Sequence, residues 1–515
     1  MQTALWAPES GMSPANHAAE RPNAIALYSR RGNVTFGALD RRANQFASLL
    51  AKAGLGAGDS VALVCPNTPE FVECLLGCLR SGVRLTPVSW RLSPEDVRYI
   101  VEHCDAKALV VHVDCAQGLD ASMFSQVGVR LSVGGPLSGF DDYAEALRAQ
   151  AGDPPPSPQH GSLMLYTSGT TGRPKGVRKE RPNIYQRQPA GQMCERHVDD
   201  VHLLCGPAYH SAPIYHDVIV PMVCGNPVVM MERFDAAEAL RLIETHRVTN
   251  THMVPTMFQK LLQLPEAARR RDLTSLREVS HGGAPTSIAT KRAMIEWFGP
   301  ILREYYAATE GGGRFSITSA EWLRKPGSVG RVLAQGGARV LDEAGRDCAP
   351  GVSGLVHFRN GALGPRVSYH RASSAQNMLD GDLFTLGDMG HVDEDGYLFL
   401  TGRTADRIIS GGVNIQPQEI DDVLASHPSV LAACCVGVPN EEWGEEIKAL
   451  VVSHIDPAGR EALAQALIEL CRARLARYKA PRSVEFVVEL PITETGKVRR
   501  GELRARYWAG REKTI

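Results

Sequence analysis

An α/β architecture is predicted for this chain: a large N-terminal domain of doubly wound sheets with a small barrel-like part, then a small mobile C-terminal α+β domain. Three observations carry that prediction. Short apolar runs alternate with helical stretches through the first third, and strands alternating with helices imply a mainly parallel sheet that binds ligands at the carboxyl ends of its strands. From Val329 to Phe358 the pattern turns to short β segments and turns. Near Thr401 the style changes again, and the remainder suffices for a second domain, so the division is placed at 1–402 and 403–515.

The elements follow in order. Val34-Thr35-Phe36 leads into a helix over Leu39 to Ala53, and a Gly-rich turn precedes a strand over Ser60 to Val64. Thr68 caps a helix to Arg80 with Pro69 at its first position and Gly82 just past its end. Ser93-Pro94-Glu95-Asp96 repeats that start signal, with Val97, Ile100, Val101 and Cys104 on one apolar stripe, and Ala108 to His112 is a further strand. The Pro-rich run 152–159 can form neither ladder nor helix and reads as a surface connection. Asp235 caps a helix to His246, Thr249 to Val254 is a strand, and Thr256 to Leu264 a short helix. The C-terminal part holds helices over Gln418 to Ser426 and Arg460 to Tyr478 and strands over Leu431 to Val438 and Val484 to Glu489.

Composition excludes several function classes. With 515 residues the chain is too long for one ordinary core, and 43% hydrophobic with 22% charged residues is the balance of a soluble globular protein. A net charge of −1 offers no bulk attraction to nucleic acid or anionic membrane, so any phosphate chemistry is local. No stretch reaches the length of a membrane span and the start shows no leader pattern, which reads as cytoplasmic. The 12 cysteines lack framework spacing and read as buried reduced thiols. Cys74 and Cys78, one helical turn apart, lie on a core-facing helix rather than at a metal. The oligomeric state stays open, a homodimer included.

The most informative stretch is Leu163 to Gly176, where an apolar run read as one buried strand opens into residues of only Thr, Ser and Gly and ends in Arg-Pro-Lys-Gly. Glycines let backbone N–H groups approach an anion, hydroxyls add donors, and Lys175 adds a mobile positive charge, so the stretch is built to hold phosphate. It is not a mononucleotide P-loop, because Gly172 is followed by Arg173 and Lys175 by Gly176. Nor is it a nucleophile elbow, since Tyr166 stands where Gly is needed two residues before Ser168.

Taken with His281-Gly-Gly-Ala-Pro285, Tyr306-Ala-Ala-Thr-Glu310, Gly387-Asp388, Gly402-Arg403, Ser410-Gly-Gly-Val-Asn414 and Thr495-Gly-Lys497, this loop resembles the adenylate-forming superfamily of acyl-CoA synthetases, firefly-type luciferases and peptide-synthetase adenylation domains. The acyl-CoA synthetases are the nearest of these, and the likeness runs from about Val34 to Tyr507. It implies an acid–CoA ligase using ATP, Mg²⁺ and coenzyme A. A carboxylate attacks the α-phosphate of ATP, pyrophosphate leaves, and the acyl group passes from AMP to the thiol.

The resemblance also implies roles. Thr167, Ser168, Gly169, Thr170, Thr171, Gly172 and Lys175 would wrap the β- and γ-phosphates, Thr309 would bond the α-phosphate, and Glu310 would hold Mg²⁺. Gly283, Ala284 and Pro285 would wall the adenine, while Asp388, assisted by Arg403, would accept the ribose hydroxyls. Lys497 would be the catalytic lysine of adenylation, and His210 would gate the carboxylate pocket. Ser410, Gly411, Gly412 and Trp443 would line the pantetheine path, with Arg477 and Lys479 at the nucleotide end of coenzyme A. The basic run Arg499, Arg500, Arg504 and Arg506 reads as a solvated helix face.

Two departures from the family pattern stand out. Ala405 occupies the pivot position, commonly Asp or Lys, and Ala307 replaces the usual glycine of Tyr-Gly-x-Thr-Glu. They motivate the alternative of a family member performing one half-reaction only. Retention of Lys175, Glu310, Asp388, Arg403 and Lys497 argues against a non-catalytic acyl-adenylate-binding relative. The pocket candidates Tyr209, Ile214, Tyr215, Met253 and Met257 suit an apolar carboxylic acid, whether fatty, aryl or polycyclic, and disfavour an α-amino acid, with His216-Asp217 as the neighbouring polar pair.

Overall fold

The computed structural model describes residues 12–167, 173–179, 197, 199–332, 336–362, 366–372, 382–493 and 497–509, apart from the side chains at 312 and 313. Among the described residues the strands form sheets of thirteen, six, five and three.

The six-stranded sheet is parallel throughout and runs Asp141–Asp142, Val129–Val133, Ala106–His112, Ser60–Val64, Arg84–Pro87, Ser162–Leu163. Its central strands carry the unbroken apolar runs Val61 to Val64 and Ala108 to Val111, because both faces are covered there. Val61 and Leu63 pack with the helices Phe36–Lys52 and Pro69–Arg80, whereas Ala62 and Val64 pack with Pro94–His103 on the other side. Cys74 and Cys78 are fully buried in the first of these cores, and no group of three metal-ligating side chains occurs among the described residues.

The thirteen-stranded sheet holds a parallel centre of Val228–Met230, His202–Leu204, Asn250–Met253, Glu278–His281 and Leu302–Ala308, continued antiparallel by Gly311–Thr318 and Ser328–Val332. Beyond these, Leu398–Arg403, Leu383–Val392, Gly354–Arg359 and Ala338–Leu341 curl away, and the three-stranded sheet shares a core with them through Val177, Val367 and Tyr369. This is the barrel-like part. The C-terminal sheet uses only strands after residue 407, with helices Pro417–Ala425 and Arg460–Arg474 on one core and Arg500–Trp508 on the other.

The local start signals locate elements well. Ser93 accepts from the Asp96 N–H at 3.2 Å and Asp235 from the Glu238 N–H at 2.8 Å. Four readings need correction. The apolar run before the phosphate loop is not one strand: Ser162–Leu163 ends the six-stranded sheet, and after buried Met164, Leu165–Thr167 joins the three-stranded one. Thr68 stands at the N-cap in extended conformation, but its hydroxyl contacts Cys65 Sγ at 3.4 Å instead of capping. The long C-terminal helix stops at Arg474, because Leu475 turns extended and Ala480, ahead of Pro481, is held out of the helical region.

The fourth correction is the basic run. Arg500 is only 12% exposed and pairs with Asp421 at 2.6 Å and Asp406 at 3.5 Å, and Arg504 pairs with fully buried Glu445. Half of that helix's charge thus faces inward. Arg499 and Arg506 keep to the outside, as expected.

Candidate active site

A cleft of about 2330 Å³ runs between the large part and the C-terminal unit. Its floor is the tip of the hairpin joining Leu302–Ala308 to Gly311–Thr318. Ala308 pairs with Gly311, which leaves Thr309 and Glu310 as the turn. Gly311 takes φ +79°, a left-handed conformation that favours glycine.

Glu310 is buried, and Thr167 Oγ1 and the Tyr369 hydroxyl each donate to its Oε1 at 3.2 Å. Thr309 Oγ1 lies 3.1 Å from Ser211 Oγ. Lys175, paired across the strand with Thr167, holds its ammonium 5.1 Å from the Tyr369 ring centroid. The candidates Ser168, Gly169, Thr170, Thr171 and Gly172 lie outside the described residues.

The opposite wall centres on Asp388. It faces Arg403 across adjacent strands, so Arg403 Nε donates to Oδ1 at 2.6 Å, while the Tyr306 hydroxyl donates to Oδ2 at 2.7 Å. Burial, and then the Asp388 charge, pushes the Tyr306 phenol well above its usual range, so it stays a donor. A carboxylate offers about four lone-pair sites, leaving Asp388 capacity for a further donor. Gly283, Ala284 and Pro285 line the cleft in the loop between Glu278–His281 and Ile288–Phe298, with Gly283 at φ +82°.

Lys497 enters this cleft from the C-terminal unit, on a turn closed by the Thr493 N–H to the Lys497 carbonyl at 2.7 Å. Its side chain is exposed to the cleft's solvent, with walls from both halves of the chain around it. That enclosure, and then the positive charge of Arg403, lower its pKa, while Asp388 and Glu310 pull it back up. The lysine therefore shares one electrostatic neighbourhood with Asp388 and Glu310 of the large part and with Arg403 at the boundary.

The acid-pocket candidates divide. Tyr209, Tyr215 and Met257 line the cleft, as does His210, whose ring meets Tyr209 edge-on at 4.9 Å. Lys179 Nζ donates to the Tyr215 hydroxyl at 3.1 Å. Ile214 is fully buried with Ala208 and Val218 in the first core, and Met253 is buried behind the sheet, so neither lines the pocket. Ile214 opens the π-helical turn Ile214–Ile219, whose side chains depart from the 3.6-residue phase, and Met253 ends the strand Asn250–Met253 with its side chain in the second core. His216 takes the vacated direction toward the cleft, where it stacks on His252 and Tyr305. Ala307 also lines the cleft, at a bulge where the register slips between Tyr306 and Ala308.

The candidates for coenzyme A are elsewhere. Ser410 pairs with Val413 around a turn in which Gly411 and Gly412 take φ +57° and +77°. A Cβ on Gly411 would stand 2.5 Å from the Trp443 ring, so Trp443 covers that turn. Arg477 is on a short 3₁₀ turn with Lys479, which bonds Glu419 at 2.7 Å. None of these six lines the cleft that receives Lys497. Ala405 is the middle residue of the 3₁₀ turn Thr404–Asp406, just after Arg403. Thr404 Oγ1 donates to the Gly387 carbonyl at 3.3 Å, and Asp406 pairs with Arg500.

Sequence reasoning missed Tyr369, His252 and Arg314, and named His216 only as a polar neighbour of the pocket. Tyr369 carries no local signal, because only the fold brings it to Glu310.

The family model for AMP-binding enzyme matches residues 15–365, and that for the AMP-binding enzyme C-terminal domain matches residues 419–497. The chain is 32% identical over 501 residues to an indoleacetate–CoA ligase of Aromatoleum aromaticum, covering 95% of this chain and 96% of the relative. It is 31% identical over 490 residues to a long-chain-fatty-acid–CoA ligase of Mycobacterium tuberculosis, with 92% and 93% covered. An anthranilate CoA ligase solved in complex with anthranoyl-AMP superposes with a TM-score of 0.85 at 25% identity, covering 98% of both chains. The chain belongs to the AMP-binding enzyme family, the adenylate-forming enzymes.

Proposed function

We propose that this enzyme is an acid–CoA ligase: it activates a carboxylic acid with an apolar body as its acyl-adenylate with ATP, then forms the acyl-CoA thioester. The observation that carries the reading is the arrival of Lys497 from the C-terminal unit in the cleft that holds Glu310, Asp388 and Arg403. Fatty, aryl and polycyclic acids all fit a cleft walled by Tyr209, Tyr215 and Met257.

In the first step a substrate carboxylate oxygen bonds to the α-phosphorus and the bond to pyrophosphate breaks. Negative charge concentrates where carboxylate and phosphate meet, and the Lys497 ammonium and Thr309 hydroxyl are the donors for that point. Lys175, Thr167 and the loop 168–172 hold the departing phosphates. Asp388 takes the ribose hydroxyls, Gly283 to Pro285 take the adenine face, and His210 stands at the entry to the acid pocket. Glu310 would hold Mg²⁺, which suits one carboxylate plus phosphate oxygens and supplies charge neutralisation when bound. The fit is supported by its buried carboxylate beside Thr167; among the described residues there is no cluster of three protein ligands of the kind a dedicated cage needs.

In the second step the thiol sulfur bonds to the acyl carbon, the carboxyl oxygen leaves with AMP, and the thiol proton passes to solvent. Lys497 then has no task, and we place the change of orientation at Ala405, between domains 1–402 and 403–515. Ser410, Gly411, Gly412 and Trp443 then face the cleft as the pantetheine path, with Arg477 and Lys479 on the nucleotide end. No helix among the described residues is long and apolar enough to cross a membrane. The eleven described cysteines are free thiols, which fits a reducing compartment, and we place the enzyme in the cytoplasm.

The test separates the steps. Lys497→Ala is expected to slow ATP–pyrophosphate exchange by about 10²–10³-fold while thioester formation from supplied acyl-AMP stays near the wild-type rate. Equal loss of both steps refutes the two-orientation account.

A further inference from the structure

Arg314 stands on the strand Gly311–Thr318, with its guanidinium carbon 5.2 Å from the Tyr305 ring centroid and Nη2 3.2 Å from His216 Nε2. Arginine only donates, so His216 Nε2 accepts, and the ring is neutral with its proton on Nδ1. His216, His252 and Tyr305 form a triangle of rings, with His216 5.5 Å from His252 and 5.4 Å from Tyr305 and those two 5.7 Å apart, centroid to centroid. His252 Nε2 lies 2.9 Å from the Tyr305 hydroxyl, and its buried Nδ1 has no partner among the described residues. Burial, and then the Arg314 charge, hold His252 neutral, with its pKa down at about 3. The cluster therefore carries one permanent positive charge, and Arg314 has no ion-pair partner among the described residues: no carboxylate oxygen comes within 4.0 Å of it, and the nearby buried Asp217 is engaged by the His252 N–H at 3.3 Å.

Position argues against the phosphates as the missing anion. Successive strand side chains alternate faces, so Tyr306 reaches Asp388 while Tyr305 faces His216 and His252. Arg314 shares the face of Tyr305, away from Asp388 and Lys175. Four strand residues also carry it about 13 Å beyond Glu310. A half-buried guanidinium beside flat, neutral rings is a matched site for a planar or tetrahedral anion, which takes its fork in two parallel hydrogen bonds.

We propose that Arg314 is a specificity-determining residue that pairs with a second anionic oxygen group, carboxylate or sulfonate, at the far end of the acid substrate. The apolar body of that acid lies against Tyr305 and His216, and its reacting carboxylate points back to Thr309 and Lys497. This rests on the ligase reading above.

The test is CoA-dependent AMP release measured on matched acids: hexanoate, hexanedioate and sulfohexanoate; decanoate and decanedioate; phenylpropanoate and its para-carboxy derivative. In at least one set the doubly anionic member is expected to exceed the plain acid by about tenfold or more in kcat/KM. The carboxylate and sulfonate arms identify which anion is preferred. Arg314→Met is expected to lower the doubly anionic member by about 10–100-fold relative to the plain acid. Arg314→Lys keeps the charge and is expected to retain part of the preference, which separates recognition from damage to the fold. The proposal is overturned if plain acids are preferred in every set, or if Arg314→Met lowers all acids equally, as a role on ATP or on the shared carboxylate would. AMP release with no acid at all overturns the ligase reading itself.

Discussion

The pair between Arg500 and Asp421 offers a sharp test of how the C-terminal unit is held. Arg500 is 12% exposed and Asp421 9%, and they meet at 2.6 Å. Arg500 also donates to the Cys435 carbonyl, and the Cys435 N–H donates to the other Asp421 oxygen at 2.6 Å. Arg500→Met leaves the Asp421 carboxylate buried without its cation, and breaking a pair of this burial costs about 3–5 kcal/mol. For a domain near one hundred residues that lowers its melting temperature by about 12–25 °C. Hydrogen exchange followed by mass spectrometry reads it locally. Amides of Pro417–Ala425 and Val430–Asn440 are expected to exchange about 10²–10⁴-fold faster, while those of the six-stranded sheet stay unchanged. Adding Asp421→Asn removes the stranded charge and is expected to recover most of the loss. Asp406→Asn, at a carboxylate that is 32% exposed and 3.5 Å from Arg500, is expected to cost about 1 kcal/mol or less. Less than fivefold acceleration in Arg500→Met would refute the pair's structural role.

Two further outcomes are expected. His252 titrates at about 3 when folded against about 6.5 when unfolded, so the unfolded state binds the extra proton in that window and stability falls as pH drops through it. His252→Phe is expected to flatten the slope of unfolding free energy against pH by about 1.4 kcal/mol per unit between those values, read by urea titration; an unchanged slope would show the ring already hydrated. Tyr306→Phe removes one of the two donors on Asp388 and is expected to raise the KM for ATP by about tenfold with kcat little changed, measured by pyrophosphate exchange. A kcat loss alone would move Tyr306 to the chemical step.

Helix ends were legible in the sequence because a cap is a local event: Ser93 and Asp235 need only the N–H three residues on. Most of the candidate site was legible for a similar reason, since Thr309-Glu310 and Asp388 sit in short turns or strand pairs with their own signatures. What was not legible is long-range or breaks the period. An apolar run cannot say that Leu163 and Leu165 serve different sheets. Ile214 was misjudged because a π-helical turn departs from the 3.6-residue phase. Arg500 was misjudged because its partner Asp421 lies in another element, and a charge without a visible partner reads as solvated.

The turn Thr404–Asp406 has a mechanical consequence. Thr404 is moored to Gly387 in the large part, and Asp406 is moored to Arg500 in the C-terminal unit. Ala405 is the link between two anchors on opposite banks, and its methyl grips neither. If the C-terminal unit turns here, as proposed, torque applied by one half on the other would fall mainly on the backbone around this residue, much as a chain under twist turns at its one loose swivel. A polar residue there would act as a brake with two detents; alanine would leave the swivel smooth, so that what fills the cleft, rather than the hinge itself, would select between the two faces of the small unit.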